Sequence, residues 1–321
     1  MSVLDGGPLP AAGGMRTGRE NGLAIRRVPP TNPRPAWLAN PRLRRASPIS
    51  HFGVAAALEA VGGSDRRARR LGVVFCVMSG SVTYSRRFYE EVLRDPGTAS
   101  PLMFPETVFN APASHVSACL GSSAASYTLV GDAGMFIQGL ALAAGWLDAG
   151  SMDAVLVVAA EEADWLSAEA LRYFEASGVA AEGSGALLLN TKPSGALAEL
   201  IGITTAHSFT GRIDRLEAAR AVTAELDGFT QDKACPWFDA WCGHMPGVEP
   251  LPQRGVRVTE KLGDGLAAAG AWPCVAACEA ISGSRSHTAL VRVVGANQQA
   301  IGAVFAAPSL DAQSSAPCLR G

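Results

Sequence analysis

The chain has 321 residues, with 27 Lys and Arg against 29 Asp and Glu, a net charge of −2. An apolar fraction of 48%, 35 Gly and only 17% charged residues describe a well-buried globular interior with many tight turns. No basic stripe runs along it, which argues against nucleic acid as a partner. The run Arg66-Arg67-Ala68-Arg69-Arg70 reads as a solvated face or a docking patch for an acidic protein. The seven cysteines are an odd number without CxxC spacing, so neither a zinc site nor a disulfide framework is expected. Reduced thiols and the lack of a signal-peptide pattern point to the cytoplasm. Asp or Gly interrupts each long apolar run before it could span a bilayer.

In chain order, residues 1–69 read as a Pro-, Gly- and Arg-rich N-terminal arm, without apolar period over 1–48. Leu71–Met78 is a buried strand, and Arg86–Leu93 a helix with mixed faces. A second helix covers Pro105–Leu120, interrupted near Pro112. Strand 126–131, helix 134–148 and strand 154–160 follow, then a helix near 167–176 and paired strands at Gly185–Asn190 and Ala198–Thr204. Near-continuous apolar strands alternating with helices mark a sheet covered on both faces. Beyond residue 205 the pattern gives helix 212–226, an aromatic segment 229–244, helix 265–281, and hairpin strands 287–294 and 299–306. Both halves end in helix–strand–strand, so a duplicated unit is expected, with halves at about 70–205 and 206–307 and a tail at 308–321.

The turn after strand 126–131 is the most informative position. A strand that feeds a helix N-terminus through a tight turn is where enzymes place a Cys or Ser, because the free N–H groups stabilise developing anions. Here Gly131-Asp132-Ala133-Gly134 occupies the turn. Asp132 suits an N-cap, and Ala133 has no reactive group. No P-loop, GxGxxG after a strand, or HExxH occurs, and no cofactor or metal is expected.

Several blocks together are similar to the β-ketoacyl synthase family of the thiolase superfamily over about residues 70–307. They are Leu71–Gly80 with Arg86-Arg-Phe-Tyr-Glu90, Asn110–Gly121 ("NAxAGxVAxxLG"), Asp153–Glu162 ("ADVxxAGGxE") and Glu182–Leu189 ("GEGAGALVLE"). The resemblance implies an α/β thiolase-like fold of duplicated βαβαβαββ layers (αβαβα), the second half compressed. It also places the family's nucleophilic Cys at Ala133. The block "GHLxGAAGA" resembles Gly263–Ala271, which puts Asp264 where a catalytic His belongs, and Thr259 stands where a Lys is usual, with Lys261 displaced by two. No "HGTGT" segment is found; His207-Ser-Phe-Thr-Gly211 is nearest and comes too early. A carboxylate cannot donate to an enolate unless protonated.

These losses imply a subunit without independent chemistry, like the chain-length factors that pair with a ketosynthase in type II polyketide and aryl polyene systems. In that family dimers form along the strand corresponding to 126–131, and the helix at 104–120 borders the neighbouring acyl tunnel. Phe104, Thr107, Phe109, Tyr127 and Leu129 are therefore candidates for the tunnel and the dimer contact, with ordinary core packing as the alternative. The implied partners are a catalytic ketosynthase and an acyl carrier protein, the latter docking at Arg66, Arg67, Arg69 and Arg70. Two other readings stay open. One is an acyltransferase using Cys119 with His115 four residues earlier as base; the other is a carrier-protein-binding scaffold.

Overall fold

The computed structural model describes residues 16–20, 22–30, 33–62, 70–173, 178–192, 195–230, 235–242, 255–283 and 286–308. An N-terminal hairpin, β1 (Arg16–Glu20) and β2 (Leu23–Arg27), is followed by two 3-10 turns and α1 (Pro48–Val61). Then come β3 (Leu71–Val77), α2 (Val82–Arg94), α3 (Ala111–Leu120), β4 (Ser126–Val130), α4 (Met135–Asp148), β5 (Ala154–Glu161) and α5 (Trp165–Leu171). The short β6 (Ala180–Ala181) precedes β7 (Gly183–Asn190), β8 (Glu199–Ile203), β9 (His207–Ser208) and α6 (Arg212–Phe229). The chain closes with β10 (Trp237–Trp241), β11 (Gly255–Arg257), α7 (Val258–Leu262), α8 (Ala268–Ser282), β12 (Thr288–Val294) and β13 (Gln299–Ala306).

The two larger sheets have the orders β4-β3-β5-β7 and β11-β10-β12-β13-β8, and a small sheet joins β1, β2 and β6. Strands β3, β4 and β5 are parallel, whereas β7 runs antiparallel beside β5. The second sheet repeats the scheme: β10 and β12 are parallel, and β13 turns back along β12. Alternation sorts the side chains into layers. Val73, Phe75 and Val77 of β3 face α1 and α3, while Val74 and Cys76 face inward toward α4 and α8. Ala289, Val291 and Val293 of β12 face the same two helices from the other side, and Leu290 and Val294 face α6. The result is a five-layer αβαβα stack with α4 and α8 at its centre.

Three expectations need correction. Helix α1 is built into the core, with Ile49 and Val54 fully buried, so ordered packing begins well before residue 70. The reason lies downstream: the Glu162 carboxylate accepts from Ile49 N–H at 3.0 Å and from Thr83 N–H at 2.7 Å, capping α1 and α2 together. Strands β7 and β8 do not pair with each other; β7 lies on β5 and β8 on β13, in different sheets. The aromatic segment after residue 229 contributes β10, the centre of the second sheet's parallel part.

Under α6, β10 and β12 carry a buried ion pair. Asp239 stands opposite Arg292 in the parallel register and accepts from its Nε at 3.1 Å and Nη2 at 2.7 Å. The indole N–H groups of Trp237 and Trp241 donate to the same carboxylate at 2.8 and 3.0 Å. Both rings also flank the guanidinium, at 5.3 and 5.0 Å. Removing one partner would strand the other charge in the interior. Asp239→Ala is expected to lower stability by roughly 3–5 kcal/mol in urea unfolding, whereas the double change Asp239→Leu with Arg292→Met costs much less.

Candidate functional site

The elbow between β4 and α4 lies at the interface of the two halves. Ala133 is fully buried. Helix α8 crosses it so closely that a Cβ on Gly270 would stand 1.9 Å from the Ala133 carbonyl oxygen. Only glycine permits that approach. Asp132 is also fully buried, and its carboxylate serves the α4 terminus through Gly134 N–H alone, at 3.2 Å. Its other oxygen accepts from Asn297 N–H at 3.4 Å and Gln298 N–H at 3.0 Å, in the turn joining β12 to β13. The Asp132 N–H in turn donates to the Gln298 side-chain oxygen at 2.9 Å. That turn is moulded around the carboxylate, since a Cβ on Gly295 would meet Asp132 Oδ2 at 1.8 Å. Burial raises the Asp132 pKa, and these N–H donors oppose the rise.

Two further residues close on the elbow. Cys242 follows β10 directly, and its fully buried thiol interacts with the Asp264 carboxyl. Burial, then the charges of Asp264 and Asp132, push this thiol well above its ordinary range, so no thiolate forms there. Asp264 precedes α8, accepts from Leu266 N–H at 3.0 Å through Oδ1, and leaves Oδ2 buried without a hydrogen-bond partner. Burial raises the Asp264 pKa as well. Cys242 escaped the sequence reading because its strand, Trp237–Trp241, is broken by Asp239, and His244, two residues further on, fits no catalytic spacing. The signal available was the apolar strand end running straight into a lone Cys.

The remaining candidates scatter. The structure does not bring Cys119 and His115 together: Asn40 Nδ2 donates to the Cys119 sulfur at 3.5 Å, and His115 Nε2 pairs with Glu106 at 3.0 Å. Burial raises the Cys119 pKa, against a smaller opposing effect of Arg42. Thr259 Oγ1 accepts from Trp241 N–H at 3.3 Å, and Lys261 is exposed. Phe104, Phe109 and Tyr127 are 54%, 44% and 56% exposed, so they are not core aromatics. Tyr127 meets Trp146 edge-on at 5.4 Å, Thr107 caps the Phe104 carbonyl, and Leu129 is half-buried. A cleft of about 300 Å³ between α3 and β4 is lined by Asn110, Ala113, Ser114 and residues 126–128. Arg70 is engaged by Asp153 at 2.8 Å and by the Gly150 carbonyl, whereas Arg66, Arg67 and Arg69 lie outside the described residues. Arg34, Arg42, Arg44 and Arg45 are exposed and make no salt bridge among the described residues. No group of three or more potential metal ligands occurs among the described residues, and no described helix is long and apolar enough to cross a membrane.

The carboxyl of Asp264 has a pH consequence. Its folded pKa is raised, so its stability contribution is complete below the ordinary aspartate value and is lost as pH rises through the folded one. Asp264→Asn is therefore expected to match the wild type near pH 4 and exceed it at about pH 8, by roughly 1–3 kcal/mol, the cost of ionising a buried, poorly hydrogen-bonded carboxyl. Calorimetry of both proteins at the two pH values checks this; an advantage confined to acid pH would contradict it.

The profile of the β-ketoacyl synthase N-terminal domain matches residues 22–188. No curated protein sequence matches the chain. Among solved structures the chain is similar to the ishigamide ketosynthase/chain length factor, with TM-score 0.72 and 18% identity over 89% of this chain and 87% of that one. It is also similar to a β-ketoacyl synthase from Burkholderia phymatum, with TM-score 0.70 and 14% identity over 88% of each chain. A third similar structure is a type II polyketide synthase acyl carrier protein in complex with its ketosynthase, with TM-score 0.70 and 18% identity over 88% of each. The five-layer stack is thus the thiolase-like fold, and the chain belongs to the β-ketoacyl synthase family.

Proposed function

We propose that this chain is a non-catalytic ketosynthase-like subunit, of the chain-length-factor kind, that pairs with an active ketosynthase. The observation that carries the reading is the elbow itself. Its Ala133 is sealed, and the described polar side chains around it, those of Asp132, Cys242, Asp264, Gln298 and Gln299, include no imidazole. Condensation needs a nucleophile to hold the acyl group and donors for the enolate oxygen. Neither requirement is met by Ala133, Cys242 and Asp264.

The surface supports a partner. Strand β4 forms one end of its sheet, and its outer edge is unpaired among the described residues. Of the fourteen large apolar side chains exposed among those residues, eight lie between 89 and 130, on α2, the turns before α3, and β4. A concentration of that kind marks an interaction face rather than scattered exposure. One of the similar structures is described as a ketosynthase/chain length factor. On this reading Phe104, Phe109, Tyr127 and Val130 meet the partner. The carrier protein docks at Arg42, Arg44 and Arg45, a cluster of exposed cations that make no salt bridge among the described residues, and not at Arg70. An independent acyltransferase based on Cys119 is disfavoured, since that thiol lacks both a base and a helix N-terminus.

Co-expression with a ketosynthase from the same genome is expected to give a one-to-one complex in size exclusion, with no condensation by this chain alone. A stable homodimer with no affinity for any ketosynthase would overturn the proposal. Within the complex, Val130→Glu is expected to weaken association at least tenfold (about 1.4 kcal/mol) while changing the melting point of the isolated chain little, because the side chain is half exposed. Arg44→Glu with Arg45→Glu should weaken carrier-protein binding and flatten its salt dependence, leaving ketosynthase pairing intact.

A further inference from the structure

The interior of the elbow holds an anion-binding nest built from both halves of the molecule. Gly134 N–H at the start of α4 and the N–H groups of Asn297 and Gln298 point at one spot, where the Asp132 carboxylate sits at 3.2, 3.4 and 3.0 Å. A fourth donor stands beside it. The Gln299 side chain is 5% exposed, and its Nε2 is buried without a partner while its Oε1 accepts from Gln138 at 3.0 Å. That amide nitrogen faces the nest's edge, 2.9 Å from where a Cβ on Gly134 would lie. Converging N–H groups at a helix start favour negative charge through both hydrogen bonding and the local dipole.

We infer that the elbow is a binding site for a small carboxylate or oxyanion, and that Asp132 is its built-in occupant. The side chain fills the site and satisfies its donors, so these N–H groups are closed to any external anion. This goes beyond the absence of a nucleophile at Ala133. It is a second, independent block, and it holds whether or not a partner subunit binds. A cysteine introduced at position 133 alone would still face donors already spent on Asp132.

The test is to remove the occupant and supply it from solution. Asp132→Ala deletes one carboxylate and keeps the Cβ, leaving a space the size of formate. Its melting point is expected to rise by about 2 °C at a formate concentration about ten times the dissociation constant, relative to equal chloride. Acetate, larger by a methyl, is expected to have a smaller effect. Wild type and Asp132→Asn, whose sites remain filled, should respond to formate and chloride alike. Equal responses of Asp132→Ala to formate and chloride overturn the inference. If that variant is recovered only unfolded, refolding gives the same readout: recovery in formate and not in chloride supports it, and failure in both overturns it.

Discussion

The Asp132 carboxylate is the tie on which the arrangement of the two halves depends. One oxygen holds the N-terminus of α4, which belongs to the first half, and the other holds the turn between β12 and β13, the last hairpin of the second. Because the residue is fully buried, each lost hydrogen bond would leave a backbone N–H without water to replace it. The Asp132 N–H and the Gln298 side chain close the same contact in the reverse direction. Around this tie the central helices pack without slack, since Gly270 of α8 rests on the Ala133 carbonyl. The same constraint governs Gly295, where any side chain would displace the carboxylate. The two larger sheets share no strand, so the halves meet through this polar tie and through the apolar core around α4 and α8.

Charge elsewhere in the interior follows a similar rule, with donors placed to meet each carboxylate. Glu161, which burial pushes up to about 8, accepts from the Ser79 hydroxyl and from the Met78 and Ser79 N–H groups after β3. Glu162 caps two helices, and Glu182 accepts from Val28 N–H at 2.9 Å and Arg27 at 2.9 Å, holding the N-terminal segment against the body. These three acids all lie near the end of β5 or the start of β7. Glu162 and Glu182 bind the stretch before residue 70 to the first sheet, and Glu161 holds the turn after β3. Polar groups thus hold the joints, and the apolar layers between them supply most of the stabilisation.

Much of this layout was legible in the sequence. Strands β3 and β5 and the closing hairpin stand out because buried strands read as near-continuous apolar runs. Helix α1 did not, because its caps come from Glu162, 113 residues away from Ile49, and the Pro- and Arg-rich stretch ahead of it masks its start. Strand β10 was hidden by Asp239, a residue that reads as exposed until Arg292 arrives 53 positions later to neutralise it. The pairing of β7 and β8 was misjudged because sequence neighbours are usually spatial neighbours, and here the chain leaves one sheet for the other. At the elbow, the strand-to-helix turn pointed to Asp132 and Ala133 and the family resemblance to Asp264, whereas Cys242 needed the fold to bring it there.

The elbow holds two buried aspartates whose surroundings differ in kind. Asp132 has three backbone N–H donors, an environment suited to a carboxylate ion. Asp264 has one, an orphaned oxygen and a thiol, an environment suited to the neutral acid. Burial, and to a lesser degree the nearby Asp132 charge, raise the Asp264 pKa, while the backbone donors around Asp132 oppose the effect of burial there. The Asp132 charge is met by donors from both halves, and the close crossing of α8 over the Ala133 carbonyl fills the space beside it, so the elbow joins the two halves.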